Sequence, residues 1–154
     1  LKEDMGNTSL SFHQILTLAS IIEKEGVTDE DRKLISGVFY NRMNNDMPLQ
    51  SDITVLYALG EHKELVTIKD TEVDSPYNLY KHTGLGPGPY NSPSLSAIQA
   101  AIYPTASDYF YFVADIETGN VYYATTLEEH EALVAKYVNK NSSQESSLSS
   151  SETE

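Results

Sequence analysis

Residues 11–26 read SFHQILTLASIIEKEG, and this stretch decides how the fold begins. Its apolar side chains recur every three or four residues, as on a helix with one buried face: Ile15, Leu18, Ile21 and Ile22. Gly26 follows as a natural C-terminal stop. The spacing therefore predicts a helix over 11–25 whose last turn contains Glu23 and Glu25.

The two glutamates of that last turn point in different directions. At 100° per residue, Glu25 projects into the apolar face of the helix, whereas Glu23 points well away from it. Burial and the negative end of the helix dipole both disfavour an ionised Glu25, so we expect a raised pKa. A carboxylic acid that stays protonated near neutral pH can protonate a glycosidic oxygen. On spacing alone, the simpler interpretation is a glutamate that leans into solvent.

Two further helices are indicated before residue 60. Thr28 and Asp31 resemble a capping box, with Asp in place of Glu, and open a helix that continues through Met43. Residues 51–59 fit a short helix that Gly60 ends. The first two helices are expected to pack together.

Residues 61–93 are rich in proline, glycine and tyrosine and show no sustained period. Long structureless segments inside compact domains tend to be functional, so we expect this loop to form a substrate wall. At its end, Ser92 before Pro93 is interpreted as an N-cap with proline at the first helical position. The helix that follows is expected to end before Pro104.

The remaining chain predicts a hairpin, a last helix and a tail. Residues 109–114 and 120–124 are rich in Tyr, Phe and Val and flank a turn. Either Thr125 with Glu128 or Thr126 with Glu129 caps a helix to about residue 138. Residues 141–154 are Ser-rich and hold too few apolar groups to order themselves. We therefore predict one α+β domain over 1–140, with helices packed on a small antiparallel hairpin, and a disordered tail.

Composition excludes several classes of function. The chain has 154 residues and a formal net charge of -13, which argues against nucleic acid and against anionic lipid as partners. It contains no cysteine, and its four histidines lack the close spacing of a metal site. No metal and no cofactor are predicted.

Six sequence strings together resemble one family. They are ASIIEKEG (19–26), GVFYNRM (37–43), LQSDITVLYALG (49–60), SPYNLY (75–80), GLGPGPYNSPSLSAIQAA (84–101) and YFYFVAD (109–115). They resemble, in order, blocks of the YceG/MltG-like family of endolytic murein transglycosylases, and the resemblance covers about residues 16–137. The chain departs from the family pattern at Ile53 and Gly86, where proline is usual or common. It departs again at Tyr90, where a smaller aliphatic residue is common.

The resemblance implies a catalytic role for Glu25, at the end of the first helix of a lytic transglycosylase-like groove. Glu25 would protonate the glycosidic oxygen between N-acetylmuramic acid and N-acetylglucosamine. It would then deprotonate the muramyl 6-hydroxyl, so that a 1,6-anhydro ring closes and the enzyme is a lyase. The residues that the resemblance places around Glu25 are Gln50, Asp52, Tyr77 and Asn78 along the groove, with Gly88 and Pro89 at its rim.

Local alternatives exist for each of these groove residues. Gln50 and Asp52 could cap the following helix, Asn78 could stabilise a turn, and the tyrosines could belong to the core. Two alternative functions also stay open: a hydrolase (muramidase) of the same glycan, with Asp52 or another acid positioning a water, and a glycan-binding scaffold module without turnover.

The resemblance also implies a location and partners. The substrate would be the glycan strands of peptidoglycan, and the domain would act on the extracytoplasmic side of the cell membrane, near the cell-wall synthesis machinery. A single-pass anchor upstream of this domain would provide the membrane attachment.

Overall fold

The computed structural model describes residues 3–61, 63 and 65–138. Over these residues the chain forms five α-helices, two short 3-10 turns and one antiparallel hairpin. The helices and strands are α1 (Phe12–Glu25), α2 (Asp29–Asn44), α3 (Asp52–Leu59), α4 (Leu95–Ile102), β1 (Tyr111–Ala114), β2 (Val121–Ala124) and α5 (Leu127–Tyr137). The 3-10 turns are Asp4–Asn7 and Asp70–Glu72. The α+β class predicted from the sequence is confirmed.

The central helix is α1, which packs against α2, α3 and α4. A capping box starts it. Ser11 Oγ accepts a hydrogen bond from the Gln14 backbone N–H, and Gln14 Oε1 accepts one from the Ser11 backbone N–H. The apolar residues of its predicted buried face are all fully buried: Ile15, Leu18, Ile21 and Ile22. Each such burial contributes roughly 1.5–3 kcal/mol. The orientation of α1, and with it the direction of Glu25, is therefore held by the main core.

Small residues let the neighbouring helices approach closely. On α4, Ala97, Ala100 and Ala101 are fully buried in the same core as α1. On α2, a Cβ added to Gly37 would lie 2.2 Å from the Thr105 carbonyl oxygen. Only glycine fits there, because the segment after α4 passes directly against α2.

The hairpin and α5 form a second, smaller layer. Tyr111 pairs with Ala124 and Ala114 with Val121 in the antiparallel register. Of the two predicted capping boxes for α5, the structure contains the one made by Thr126 and Glu129. The α5 helix packs on both strands, and its buried side chains join a cluster of Val113, Val134 and Val138.

The predicted start of α4 is wrong by two residues. The N-cap is Ser94, whose Oγ accepts a hydrogen bond from Ala97 N, and not Ser92 with Pro93 as first helical residue. The backbone N–H of Ser94 donates a hydrogen bond to the Glu23 carboxylate of α1. This contact fixes the backbone at Ser94, and α4 begins there. Pro93 therefore lies in the loop.

Two other predictions concern the chain ends. The boundary at residue 140 and the tail 141–154 lie outside the described residues. Among the residues that the structure does describe, no helix combines the length and the apolar character needed to cross a membrane.

Candidate active site

Glu25, the last residue of α1, makes its hydrogen bond across the fold to the start of α3. Its Oε2 accepts a bond of 2.6 Å from Ser51 Oγ, and Ser51 is 2% exposed. The residue as a whole is partly buried, and its carboxyl is the part that the fold desolvates. Desolvation raises the pKa of Glu25 to about 7; the Ser51 bond opposes this rise and the Asp52 carboxylate adds to it. Glu25 can therefore both give and take a proton near neutral pH.

Glu23 has the opposite environment, although it lies only two residues away. Its Oε1 accepts a 2.8 Å bond from Ser94 N, and its Oε2 pairs with Arg32 Nη2 at 3.3 Å. The hydrogen bonds from the Ser94 backbone and side chain, with a smaller effect of the Arg32 charge, lower the pKa of Glu23. As predicted, the two carboxyls face different partners, and the structure adds that Glu23 joins α1 to α4. Glu23 is suited to stay ionised and Glu25 to cycle a proton.

The turn before α3 contains Gln50 and Ser51, and it brings Ser51 and Asp52 close to Glu25. Gln50 has a left-handed φ of 57°, uncommon for a residue with a side chain, and its N–H donates to Leu79 O at 3.1 Å. Its Oε1 accepts a 3.0 Å bond from Arg42 Nη1. The turn therefore has a fixed shape, which aims the Ser51 hydroxyl at Glu25.

Asp52 begins α3 and is the second carboxylate of the site. Its Oδ1 accepts a hydrogen bond from the Tyr80 hydroxyl, and it is close enough to raise the pKa of Glu25. The structure thus brings Asp52 and Glu25 together, as the groove expectation requires. Tyr80 adds a contact that holds Asp52 against the loop.

Asn78 does not line the groove in this structure, which corrects that expectation. It is fully buried, and its Nδ2 donates to the carbonyl oxygens of Thr71 and Val73 at 2.9 and 2.8 Å. Its Oδ1 accepts from Tyr80 N at 3.0 Å. The turn-stabilising alternative describes Asn78 better, because its side-chain amide forms hydrogen bonds with the backbone of the loop. Its neighbour Tyr77 is only partly buried and can face a ligand.

Gly88 lies beside the start of α1, and the expected place of Gly88 and Pro89 at the rim of the groove stays a prediction. A Cβ added to Gly88 would lie 3.6 Å from the His13 ring, and His13 Nε2 lies 3.1 Å from Pro87 O. His13 stands at the start of α1, twelve residues and about 18 Å of helix from Glu25. The loop contacts α1 at several points, from His13 near the start of the helix to Ser20, and the chain meets Glu23 at Ser94.

Ser51 is the residue that sequence reasoning missed. It lies between Gln50 and Asp52 in the LQSD string, and its position before α3 suggests an N-cap. In the structure its side chain makes no capping bond and binds Glu25 instead. The only sequence signal was its place between two predicted groove residues. In the described part of the chain, no three His, Cys, Asp or Glu side chains are grouped so that they could hold a metal ion.

Comparison with known proteins shows the family to which the chain belongs. The sequence model of the YceG-like family matches residues 1–136. The chain belongs to the YceG-like family. The resemblance drawn from the six sequence strings is thereby confirmed.

Similar proteins exist in several bacteria. A Streptococcus pneumoniae protein described as an endolytic murein transglycosylase is 54% identical over 136 residues, covering 85% of this chain and 25% of that protein. A Bacillus subtilis protein of the same description is 48% identical over 137 residues, covering 89% of this chain and 38% of that protein. The crystal structure of a yceG-like protein from Listeria monocytogenes is similar with a TM-score of 0.82 at 55% identity, over 86% of this chain and 43% of that one. The chain therefore spans less than half the length of each of these relatives.

Proposed function

We propose that this chain is the catalytic domain of an endolytic murein transglycosylase, with Glu25 as its acid and base. The observation that carries the proposal is the desolvated carboxyl of Glu25, with a pKa raised to about 7 and a hydrogen-bond partner in Ser51. The description of the Streptococcus and Bacillus relatives as endolytic murein transglycosylases supports it. Cleavage of a glycosidic bond needs a group that protonates the glycosidic oxygen, and a carboxyl with a raised pKa can do so.

The reaction needs one proton carrier that works twice. Glu25 donates its proton to the glycosidic oxygen, the bond from that oxygen to the muramyl C1 breaks, and positive charge develops at C1 and the ring oxygen. The Glu25 carboxylate then removes the proton of the muramyl 6-hydroxyl while the oxygen of that hydroxyl forms its bond to C1. The products are a 1,6-anhydro-muramyl end and a free N-acetylglucosamine hydroxyl, no water is consumed, and Glu25 regains its proton. The attack is intramolecular, so the effective concentration of the nucleophile is high.

Neighbouring groups have separate roles in this scheme. The Ser51 hydroxyl holds Oε2 of Glu25, so we assign proton transfer to Oε1. The Asp52 carboxylate interacts electrostatically with Glu25, and we assign to its negative charge the stabilisation of the oxocarbenium-like transition state. Gln50 and Tyr77 remain the candidates for contact with sugar hydroxyls and ring faces.

A hydrolase of the same glycan is the second candidate, because Asp52 gives Glu25 a carboxylate neighbour that could position water. The products separate the two, because hydrolysis leaves a reducing end whereas the lyase leaves an anhydro end that is lighter by one water. A scaffold module without turnover is disfavoured by the retained acid with its raised pKa.

The cellular setting is also part of the proposal. Murein lies outside the cytoplasmic membrane, so we place the domain on the extracytoplasmic side, attached by a single-pass anchor upstream. Proteins of the cell-wall synthesis machinery are its expected neighbours there. This location is supported by the description of the Streptococcus and Bacillus relatives as murein transglycosylases.

The test is cleavage of purified peptidoglycan by the wild type and two variants. Glu25→Gln should lose activity at the upper end of the ~10²- to 10⁴-fold range of general acid/base groups, because one residue serves both steps. Glu23→Gln, the matched control on the same helix, should stay active. Reducing ends in the wild-type products would refute the lyase reaction, and full activity of Glu25→Gln would refute Glu25 as the acid.

A further inference from the structure

Three tyrosines from separate parts of the chain pack together near the site; they are called here the tyrosine cluster. Tyr57 of α3 lies with its ring centroid 4.8 Å from that of Tyr77 and 5.3 Å from that of Tyr90. The Tyr77 and Tyr90 rings meet edge to face at 6.0 Å. Tyr90 is 6% exposed and forms the base of the cluster, whereas Tyr57 is 46% exposed. The Tyr57 ring is therefore exposed to solvent and packs against the partly buried Tyr77 and the buried Tyr90.

The base of the cluster is held rigidly. Tyr90 N donates to Ser20 Oγ at 3.0 Å, and the Tyr90 hydroxyl donates to Leu85 O at 3.0 Å. A Cβ added to Gly86 would lie 2.3 Å from that hydroxyl. The two departures from the family pattern, Gly86 and Tyr90, therefore depend on each other, since the larger side chain occupies the space that the glycine leaves.

The tyrosine cluster lies beside the same two helices that form the acid site. Tyr57 follows Asp52 by five residues on α3, which is about 8 Å along the helix. Ser20, which binds the base of the cluster, precedes Glu25 by five residues on α1. Since Ser51 connects the two helices at Glu25, the cluster lies about one and a half helical turns from the acid along both α1 and α3.

We propose that the exposed face of Tyr57 is a sugar-stacking subsite, which binds a pyranose ring of the glycan strand adjacent to the bond that Glu25 cleaves. This inference rests on the proposed function. A tyrosine ring offers an apolar face to the C–H groups of a pyranose and a hydroxyl at its edge. Because Tyr77 and Tyr90 already hold the ring, little side-chain entropy is lost on binding, and such preorganised aromatic residues often dominate an interface.

The first experiment measures binding without cleavage. In the Glu25→Gln background, the Kd for purified glycan strands should rise by about tenfold with Tyr57→Ala, as is common for a central aromatic contact. Tyr57→Phe, which keeps the ring, should bind nearly as well as the parent. Tyr103→Ala is the matched control, because Tyr103 is 40% exposed but bonds to Asp4 beyond the far end of α4. It should leave the Kd unchanged.

A second experiment detects contact directly. The sequence contains no tryptophan, so Tyr57→Trp introduces a single tryptophan, whose emission should change when strands are added. The same probe at Tyr103 should not respond. Unchanged binding by Tyr57→Ala, or a silent probe at position 57 in a variant that binds strands, would overturn the subsite while leaving the proposed function intact. Failure of the Glu25→Gln parent to bind strands at all would overturn both.

Discussion

Replacing Glu25 by Gln should make the folded domain more stable at pH 8, although it removes the proposed catalytic acid. The pKa of this carboxyl is about 7 in the folded chain against an ordinary value of 4.5. Between these two pH values the unfolded chain has released the proton that the folded chain still holds. The free energy of unfolding therefore falls as the pH rises from 4.5 to 7, and the loss persists above pH 7.

The magnitude follows from the size of the pKa change. A rise from 4.5 to about 7 corresponds to roughly 3 kcal/mol at ~1.4 kcal/mol per pH unit. Glu25 is partly open to solvent, which reduces this value, so we expect Glu25→Gln to gain about 1–3 kcal/mol at pH 8. Gln has the same shape, and its amide oxygen can still accept the Ser51 hydrogen bond. At pH 4.5 and below, the variant and the wild type should differ little.

The assay is urea unfolding at pH 5 and pH 8, followed by circular dichroism. Glu23→Gln is the matched control with the opposite sign, because the pKa of Glu23 is lowered in the folded chain. The ionised Glu23 carboxylate stabilises the fold at pH values above its ordinary pKa. This stabilisation is lost as the pH falls through the pKa that Glu23 has in the folded chain. Glu23→Gln should therefore destabilise the domain at pH 8. If Glu25→Gln were the less stable protein at pH 8, the reasoning about its desolvated carboxyl would be refuted.

Two further predictions concern residues around the acid. Ser51→Ala removes a bond that favours ionised Glu25, so the basic limb of the pH–rate profile should move up by about one pH unit. Ser36→Ala is the control, since that buried hydroxyl has no hydrogen-bond partner among the described residues; an unmoved limb in Ser51→Ala would contradict the assignment. Asn78→Ala should lower the free energy of unfolding by about 2–4 kcal/mol in urea titrations, because buried loop carbonyls lose their donor. Unchanged stability would show that the loop does not depend on this amide.

The elements near the site were predictable because their signals are local. A helix phase, a capping residue and a glycine stop each depend on residues within about four positions, so the bounds of α1 and the inward direction of Glu25 could be read from residues 11–26. The Thr28 cap of α2 was predicted in the same way, whereas the sequence left Thr125 and Thr126 as alternatives for the cap of α5. For α4 the sequence predicted the helix but placed its N-cap at Ser92, two residues before the Ser94 cap of the structure.

The sequence by itself determined the family and the α+β class, and its helical phase predicted that the Glu25 carboxyl projects into the apolar face. Only the tertiary structure decided which polar groups meet that carboxyl. Ser51 is 26 positions from Glu25, and Ser94 is 71 positions from Glu23, so both contacts depend on how the helices pack. A sequence string likewise does not show whether a residue such as Asn78 stands in the groove wall or is buried beneath it. Local patterns encode the face of an element, whereas partners distant in sequence are set by the packing of the whole core.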